Sequence, residues 1–210
     1  MKTSLFAAAA FAALAFAPAC SSVKYDDPDR VETLTIDFGS TDLQTLANGM
    51  TDSFLRSPAL GFLDTPGKGA DKRIMMYVGR VENRTSEHID TQGITDSIRV
   101  KLLQSGRFRF TADDAGQDQL ADQVRFQQGS GRVDPAQARA FGKQIGADVI
   151  MYGTLRSIEK GRGRSIESGG AKKEDVYYQF VLNAVNIETG EILWAEERDI
   201  RKVERRGLFG

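Results

Sequence analysis

Residues 147–201 read ADVIMYGTLRSIEKGRGRSIESGGAKKEDVYYQFVLNAVNIETGEILWAEERDIR, and this stretch decides the fold. Three segments, at 147–158, 175–187 and 192–201, are rich in branched and aromatic residues and have the composition of long β-strands. The last two are separated by Glu188-Thr189-Gly190-Glu191, which has the composition of a turn. The stretch therefore predicts three consecutive strands, with the last two joined as a meander.

Upstream of this stretch, apolar residues spaced three and four apart alternate with shorter strand-like runs. The run at 73–82 is almost continuously apolar, as in a strand covered on both faces, and the run at 107–110 alternates like a half-buried edge strand. Strands alternating with helices and followed by a meander predict a single α/β (α+β) domain, a mixed sheet with helices packed on it. A further strand is predicted at 33–38, and helices are predicted to begin at Ser40 or Thr41, at Asp90 or Thr91, at Asp113 and at Asp134.

The first 19 residues have the properties of a secretory signal peptide, with a charged start and an apolar run from Leu5 to Ala19. This run is shorter than the roughly 20 apolar residues that a transmembrane helix needs. The single cysteine, Cys20, follows at once and has no partner for a disulfide in an oxidising periplasm. We therefore expect Cys20 to be lipidated. Because Ala17-Pro18-Ala19 also fits ordinary signal peptidase, a secreted protein with a free thiol is the alternative.

The predicted organisation is a signal peptide at 1–19, a lipidated cysteine and short periplasmic tether at 20–31, and one domain at 32–210. A tether of roughly 10 residues reaches no more than about 35 Å when fully extended. Ser21 stands where an aspartate would resemble an inner-membrane retention signal. Similarity to sorted lipoproteins therefore implies the periplasmic face of the outer membrane.

The charge balance and residue types exclude several classes of function. The chain has 28 basic and 29 acidic residues, and removal of residues 1–19 leaves a formal charge of −2. This near balance argues against a nucleic-acid binder, which needs a basic excess on one face. One histidine and one cysteine do not supply a zinc ligand set, and residues 26–29 lack the pattern of a calcium loop. We expect no metal, no cofactor and no small-molecule substrate.

A short polar segment brings together the residue types of a hydrolase triad, Ser86, His88 and Asp90. Catalytic triads assemble from distant parts of a chain, so a polar loop before a helix is the favoured interpretation. An envelope hydrolase that uses these residues is the less favoured one. We predict no catalytic residue.

The connection at 159–174 is long, glycine-rich and basic, and long loops often carry binding function. Arg162 and Arg164 could form forked hydrogen bonds with carboxylates of a protein partner. A solvated loop without a binding role is the alternative.

Five segments of the domain together resemble one family. They read FGSTDLQ at 38–44, VENRTSEHIDT at 81–91, LQSGRFRF at 103–110, GADVIMYG at 146–153 and NIETGEILW at 186–194. They resemble the LpoB lipoproteins, which activate a bifunctional class A penicillin-binding protein. The resemblance covers nearly the whole domain after residue 33.

This resemblance implies a fold like the amino-terminal domain of TolB and a lipoprotein that reaches inward from the outer membrane. It implies a regulator and not an enzyme, docked on a small regulatory domain of the inner-membrane synthase and raising its glycosyltransferase and transpeptidase activities. The short tether departs from the longer, proline-rich tether of the family. An envelope assembly or secretion lipoprotein with a TolB-like or curli-export-like domain is the alternative function.

Overall fold

The computed structural model describes residues 25–32, 35–62, 70–137, 146–162 and 172–206. The chain divides into two units between Arg30 and Val31, and the helices and strands below belong to the second unit. None of the described helices is long and apolar enough to cross a membrane. The elements are α1 (Ser40–Arg56), a 3-10 helix (Pro58–Phe62), β1 (Ile74–Arg84), α2 (Thr91–Gln104), β2 (Phe108–Phe110), α3 (Asp114–Gly129), β3 (Val149–Arg162), β4 (Lys172–Asn186) and β5 (Ile192–Arg206).

The five strands form one mixed sheet in the order β2-β1-β3-β4-β5. β1 is parallel to both β2 and β3, whereas β3, β4 and β5 form an antiparallel meander. The short strand β2 lies at an edge of the sheet, as its alternating sequence predicted. A mixed sheet with helices packed on it confirms the predicted fold class.

The hydrophobic core lies between the sheet and the helices α1 and α2. Every second residue of β3 and β4 points into it, because successive side chains of a strand point to opposite faces. Phe54 of α1 is fully buried and packs against two other rings. Its ring centroid lies 5.3 Å from that of Phe108 and 5.1 Å from that of Trp194. The other large buried side chains are Leu46, Met50, Met76, Ile94, Ile98, Leu102, Met151, Leu155, Tyr178 and Phe180.

Two of the predicted helix starts are confirmed by their caps. The Asp90 carboxylate accepts a hydrogen bond from the Gln92 N–H at 3.1 Å, and the Asp113 carboxylate accepts one from the Gly116 N–H at 2.8 Å. These bonds satisfy N–H groups that have no partner inside the helix.

The first helix has a different cap from the predicted Ser40 or Thr41. Gly39 is the cap, and its N–H donates to the Asp42 carboxylate at 2.9 Å. The Ser40 N–H instead donates to the Glu32 carboxylate at 2.9 Å, which draws this residue into the first turn. A contact with a residue eight positions upstream therefore decides the cap.

The prediction of a strand at 33–38 is wrong for residues 35–38, the part that the structure describes, because these residues form no regular secondary structure. The connection predicted at 159–174 is also shorter than expected, because β3 continues to Arg162 and β4 begins at Lys172. Of the helix predicted from Asp134, only the start is described, where the Ala136 N–H donates to the Asp134 carboxylate at 2.9 Å. Residues 138–145, which carry its predicted apolar face, lie outside the described residues.

The predicted turn between β4 and β5 is confirmed. Gly190 has a φ of +74°, a conformation that favours glycine, and its N–H donates to the Asn186 carbonyl at 2.9 Å.

The strand predicted at 73–82, with both of its faces covered, is confirmed by β1. Met75 and Met76 point to opposite faces of this strand, and both are buried.

We predict that Phe54→Ala lowers the free energy of unfolding by about 3–5 kcal/mol, because the surrounding rings cannot close the cavity it leaves. Phe126→Ala on α3 is the control, since Phe126 is 43% exposed and its loss should cost less than about 1 kcal/mol. Chemical denaturation followed by circular dichroism measures both values. Equal losses in the two variants would contradict this description of the core.

Candidate functional site

The structure does not assemble Ser86, His88 and Asp90 into a triad. Ser86 lines one cleft and donates its hydroxyl hydrogen to Glu159, whereas His88 lines a second cleft between β1 and α2. The Asp90 carboxylate is occupied as the cap of α2. The polar-loop interpretation of this segment therefore fits the geometry, and the hydrolase interpretation does not.

One end of the domain, here called the N-terminal pole, consists of residues 31–32 and 35–38 together with the turn at 86–87. Its centre is the Glu87 carboxylate, which accepts a hydrogen bond from the Phe38 N–H at 2.9 Å and another from the Tyr178 hydroxyl. The hydroxyl also lies 3.4 Å from the Ile36 carbonyl. The segment that precedes α1 is thus attached to β4 through Glu87 and Tyr178.

The environment of Tyr178 favours its neutral form. Burial raises the pKa of this phenol, and the hydrogen bond to Glu87 and the negative charge of that carboxylate raise it further. An ionised phenol would lose hydration and would stand beside a carboxylate of like charge. Tyr178 therefore remains a hydrogen-bond donor far into the alkaline range.

A second polar contact joins β5 to the same pole. The Lys202 ammonium pairs with the Asp42 carboxylate at 2.7 Å, and both side chains are more than four-fifths buried. Lys202 also donates to the Asp37 carbonyl. Loss of one member of such a pair leaves a buried charge without compensation, which costs about 3–5 kcal/mol.

Next to the N-terminal pole, β3 and β4 continue past the end of β1 as a hairpin, here called the projecting hairpin, with β5 paired along β4 as far as Lys172. Ser86 of the N-terminal pole contacts Ser157 and Glu159 in this hairpin. β1 ends at Arg84, opposite Arg156, so residues 157–162 of β3 have only β4 as a described strand neighbour. Arg162 is the last residue of β3 and pairs through its backbone with Lys173. Its side chain, and the whole of Arg164, lie outside the described residues. The structure therefore places the base of the predicted binding loop and not its arginine side chains.

The opposite end of the domain, here called the apolar pole, consists of Ala59, Phe62, Ile187, Ile192 and Leu193. All of them except Ile187 line a depression of about 580 Å³ between the 3-10 helix and the β4–β5 turn, and Ile187 stands in the chain between the lining residues Asn186 and Glu188. Phe62, Ile187 and Ile192 are 86%, 50% and 57% exposed. Sequence reasoning missed this surface, because an apolar residue at the end of a strand is ordinarily assigned to the core.

The face of the sheet turned away from α1 and α2 carries mixed side chains. Ile158 is exposed there, while Arg201 pairs with the Asp175 carboxylate through two nitrogen atoms. The hydrogen bonds from Arg201 lower the pKa of Asp175. The charges of this pair are satisfied within the domain.

Within the described ranges, no group of three or more His, Cys, Asp or Glu side chains is placed to hold a metal ion. The fold is a mixed α/β domain, a five-stranded sheet with the helices α1 and α2 packed on it. The family model of the peptidoglycan-synthase activator LpoB matches residues 42–200. The chain therefore belongs to the LpoB family, a family of regulatory activators of peptidoglycan synthesis.

Solved structures with a similar arrangement include the LpoB C-terminal domains of Escherichia coli and Salmonella enterica. The first is 16% identical with a TM-score of 0.40, covering 76% of this chain and 98% of that one. The second is 16% identical with a TM-score of 0.37, covering 75% and 94%. The lipoprotein GNA1162 of Neisseria meningitidis is 16% identical with a TM-score of 0.36, covering 62% and 83%. No curated protein sequence matches the chain.

We predict that Tyr178→Phe lowers the free energy of unfolding near neutral pH by about 1–3 kcal/mol, because Glu87 loses a hydrogen-bond donor. The variant should also lose less stability than the wild type as the pH rises above 10.0, the ordinary pKa of tyrosine. In the wild type the unfolded phenol ionises there while the folded phenol keeps its proton, so alkali favours unfolding.

Tyr177→Phe, one residue earlier on the same strand but on the opposite face, is the control and should keep most of the alkaline loss. Denaturation curves are measured for the wild type and both variants at about pH 8 and about pH 11. They give the difference in free energy of unfolding between each variant and the wild type at each pH. If Tyr178→Phe lost stability in alkali as steeply as the wild type, the alkaline loss would not come from Tyr178, and the raised pKa of this phenol would be contradicted.

Proposed function

We propose that this chain is an outer-membrane lipoprotein, anchored through Cys20, that binds and allosterically activates a class A bifunctional penicillin-binding protein. The observation that carries the proposal is the match of the LpoB family model to residues 42–200. The contact is made with a regulatory domain of the synthase, and its consequence is control of peptidoglycan synthesis and so of cell-wall biogenesis and cell shape.

The proposed mechanism requires no catalytic residue on the lipoprotein. A ligand shifts an equilibrium only by its difference in affinity for the two states, so the domain binds the active arrangement of the synthase more tightly than the resting one. Couplings of this kind are typically about 1–3 kcal/mol.

The anchor in this proposal is a lipidated Cys20 that follows a signal peptide at 1–19. Each buried methylene of an acyl chain contributes about 0.8 kcal/mol, so several palmitate-like chains hold the protein in the membrane permanently. Residues 20–31 form the tether and residues 32–210 the partner-binding domain.

The proposed polar contact is made by Arg162 and Arg164. Arg162 is the last residue of β3, in the part of that strand that extends past the end of β1 with β4 as its described neighbour, and Arg164 follows two positions later in the sequence. Guanidinium groups form two parallel hydrogen bonds with a carboxylate, which gives both affinity and orientation.

We predict that the mature chain, residues 20–210 in detergent micelles, raises the rates of glycan polymerisation and peptide cross-linking by the cognate synthase. Both rates are measured on lipid-linked precursor, and binding is measured in parallel. Unchanged rates together with no binding would reject the proposed function.

The arginine contact is tested in the same assay with the double variant Arg162→Ala/Arg164→Ala. Each charged hydrogen bond contributes about 1.5–3 kcal/mol, so binding should weaken tenfold or more. Arg80→Ala/Arg125→Ala removes the same charge from two exposed sites elsewhere on the domain and is the matched control. Equal affinity of the two double variants would reject the arginine contact alone.

We further predict that the mature amino terminus is Cys20 carrying acyl chains. Mass spectrometry of the membrane-extracted protein should give the mass of residues 20–210 plus that of the lipid, and Cys20→Ser should remain unprocessed. An unmodified Cys20 thiol would show that ordinary secretion, and not lipidation, describes this terminus.

A further inference from the structure

The apolar pole exposes two large hydrophobic side chains that line one depression, Phe62 and Ile192, and a third, Ile187, next to the lining residues Asn186 and Glu188 in the chain. Phe62, Ile187 and Ile192 all have at least half of their surface exposed. Single exposed apolar residues are common on soluble proteins and need no explanation. A contiguous group with a polar rim, in contrast, is typical of a contact site for another macromolecule.

The backbone beneath this group is held by hydrogen bonds. The Asn186 N–H donates to the Glu191 carbonyl and the Ile187 N–H to the Asp148 carbonyl, both at 2.9 Å. On the other side of the depression, Leu60 is buried and fixes the 3-10 helix that carries Phe62. A partner would therefore meet a surface that is already ordered, which lowers the entropic cost of binding.

The apolar pole lies at the far end of the domain from the segment that leads to Cys20. Tyr178, at the N-terminal pole, and Asn186, beside the apolar pole, are eight residues apart on β4, a separation of about 26 Å. α1 runs in the same direction, from Ser40 at the N-terminal pole to Arg56 next to the 3-10 helix. With Cys20 in the outer membrane, the apolar pole is the end that can extend farthest towards the inner membrane.

The rim of the depression limits the chemistry of its partner. Glu188 and Glu191 line it and both are exposed, and no Lys or Arg is among the described residues that line it. Carboxylates at this position disfavour the anionic surface of a membrane, which attracts basic segments. They favour a protein surface on which lysine or arginine surrounds apolar side chains.

Building on the proposed function, we propose that the apolar pole docks on the extracytoplasmic part of the inner-membrane synthase. The contacting surface of the synthase carries apolar side chains for Phe62, Ile187 and Ile192 and basic side chains for Glu188 and Glu191. This contact is separate from that of the arginines, because the projecting hairpin lies at the opposite end of β4.

The test compares Ile192→Asp with Leu103→Asp in the mature chain, residues 20–210 in detergent micelles. The two side chains are matched in size and are 57% and 51% exposed, and Leu103 lies on α2, away from both proposed contacts. Binding to the cognate synthase is measured by titration. Ile192→Asp should weaken binding at least tenfold, whereas Leu103→Asp should change it less than threefold. Circular dichroism and denaturation midpoints establish that both variants are folded.

Phe62→Ser is measured as well, because Phe62 is 86% exposed on a separate element and its replacement does not disturb the sheet. It should weaken binding as Ile192→Asp does. Wild-type affinity in Phe62→Ser and Ile192→Asp would overturn the apolar contact and leave the proposed function standing. An equal loss in Leu103→Asp would also overturn it and move the contact to α2. Absence of binding by the wild-type chain would instead overturn the proposed function.

Discussion

The half-buried Glu87 carboxylate is the interaction that joins the segment preceding α1 to the sheet. It binds the Phe38 N–H on one side and the Tyr178 hydroxyl on the other, and so connects the entering chain to the central antiparallel strands. The Lys202–Asp42 pair closes the same junction from β5. A buried polar cluster of this kind is stabilising only when every member has a partner, which makes the junction sensitive to the loss of any one of them.

In the proposed arrangement, this junction lies at the end of the domain that is nearest to the anchor. Residues 35–38 lie at the N-terminal pole, so tension along the proposed tether would act on Glu87 and Lys202 rather than on the helices that cover the core. The strands β3, β4 and β5 are long and paired nearly throughout, and they connect that pole with the β4–β5 turn.

The sequence predicts those features of the domain that depend on local periodicity. Strands β3, β4 and β5 follow from branched and aromatic composition, and the starts of α2 and α3 follow from Asp90 and Asp113. The N-terminal pole was not predictable in this way. Residues 35–38 alternate like a strand, but Glu87, 49 residues away from Phe38, supplies the partner for the backbone instead of a neighbouring strand. The apolar pole was missed for a related reason, since composition does not distinguish Ile192, which is exposed, from Val185, which is buried.

In the proposed arrangement, a small contact surface would be sufficient. A few apolar side chains with a charged rim would give weak binding between two freely diffusing proteins, because association costs several kcal/mol of translational and rotational freedom. If the two proteins were attached to facing membranes, they would lie within a tether length of each other, and effective concentrations for short tethers are on the order of millimolar. A dissociation constant on the order of micromolar would then suffice for near-complete occupancy. A short tether would limit where the domain could act, and the high local concentration that it creates would compensate for a small interface.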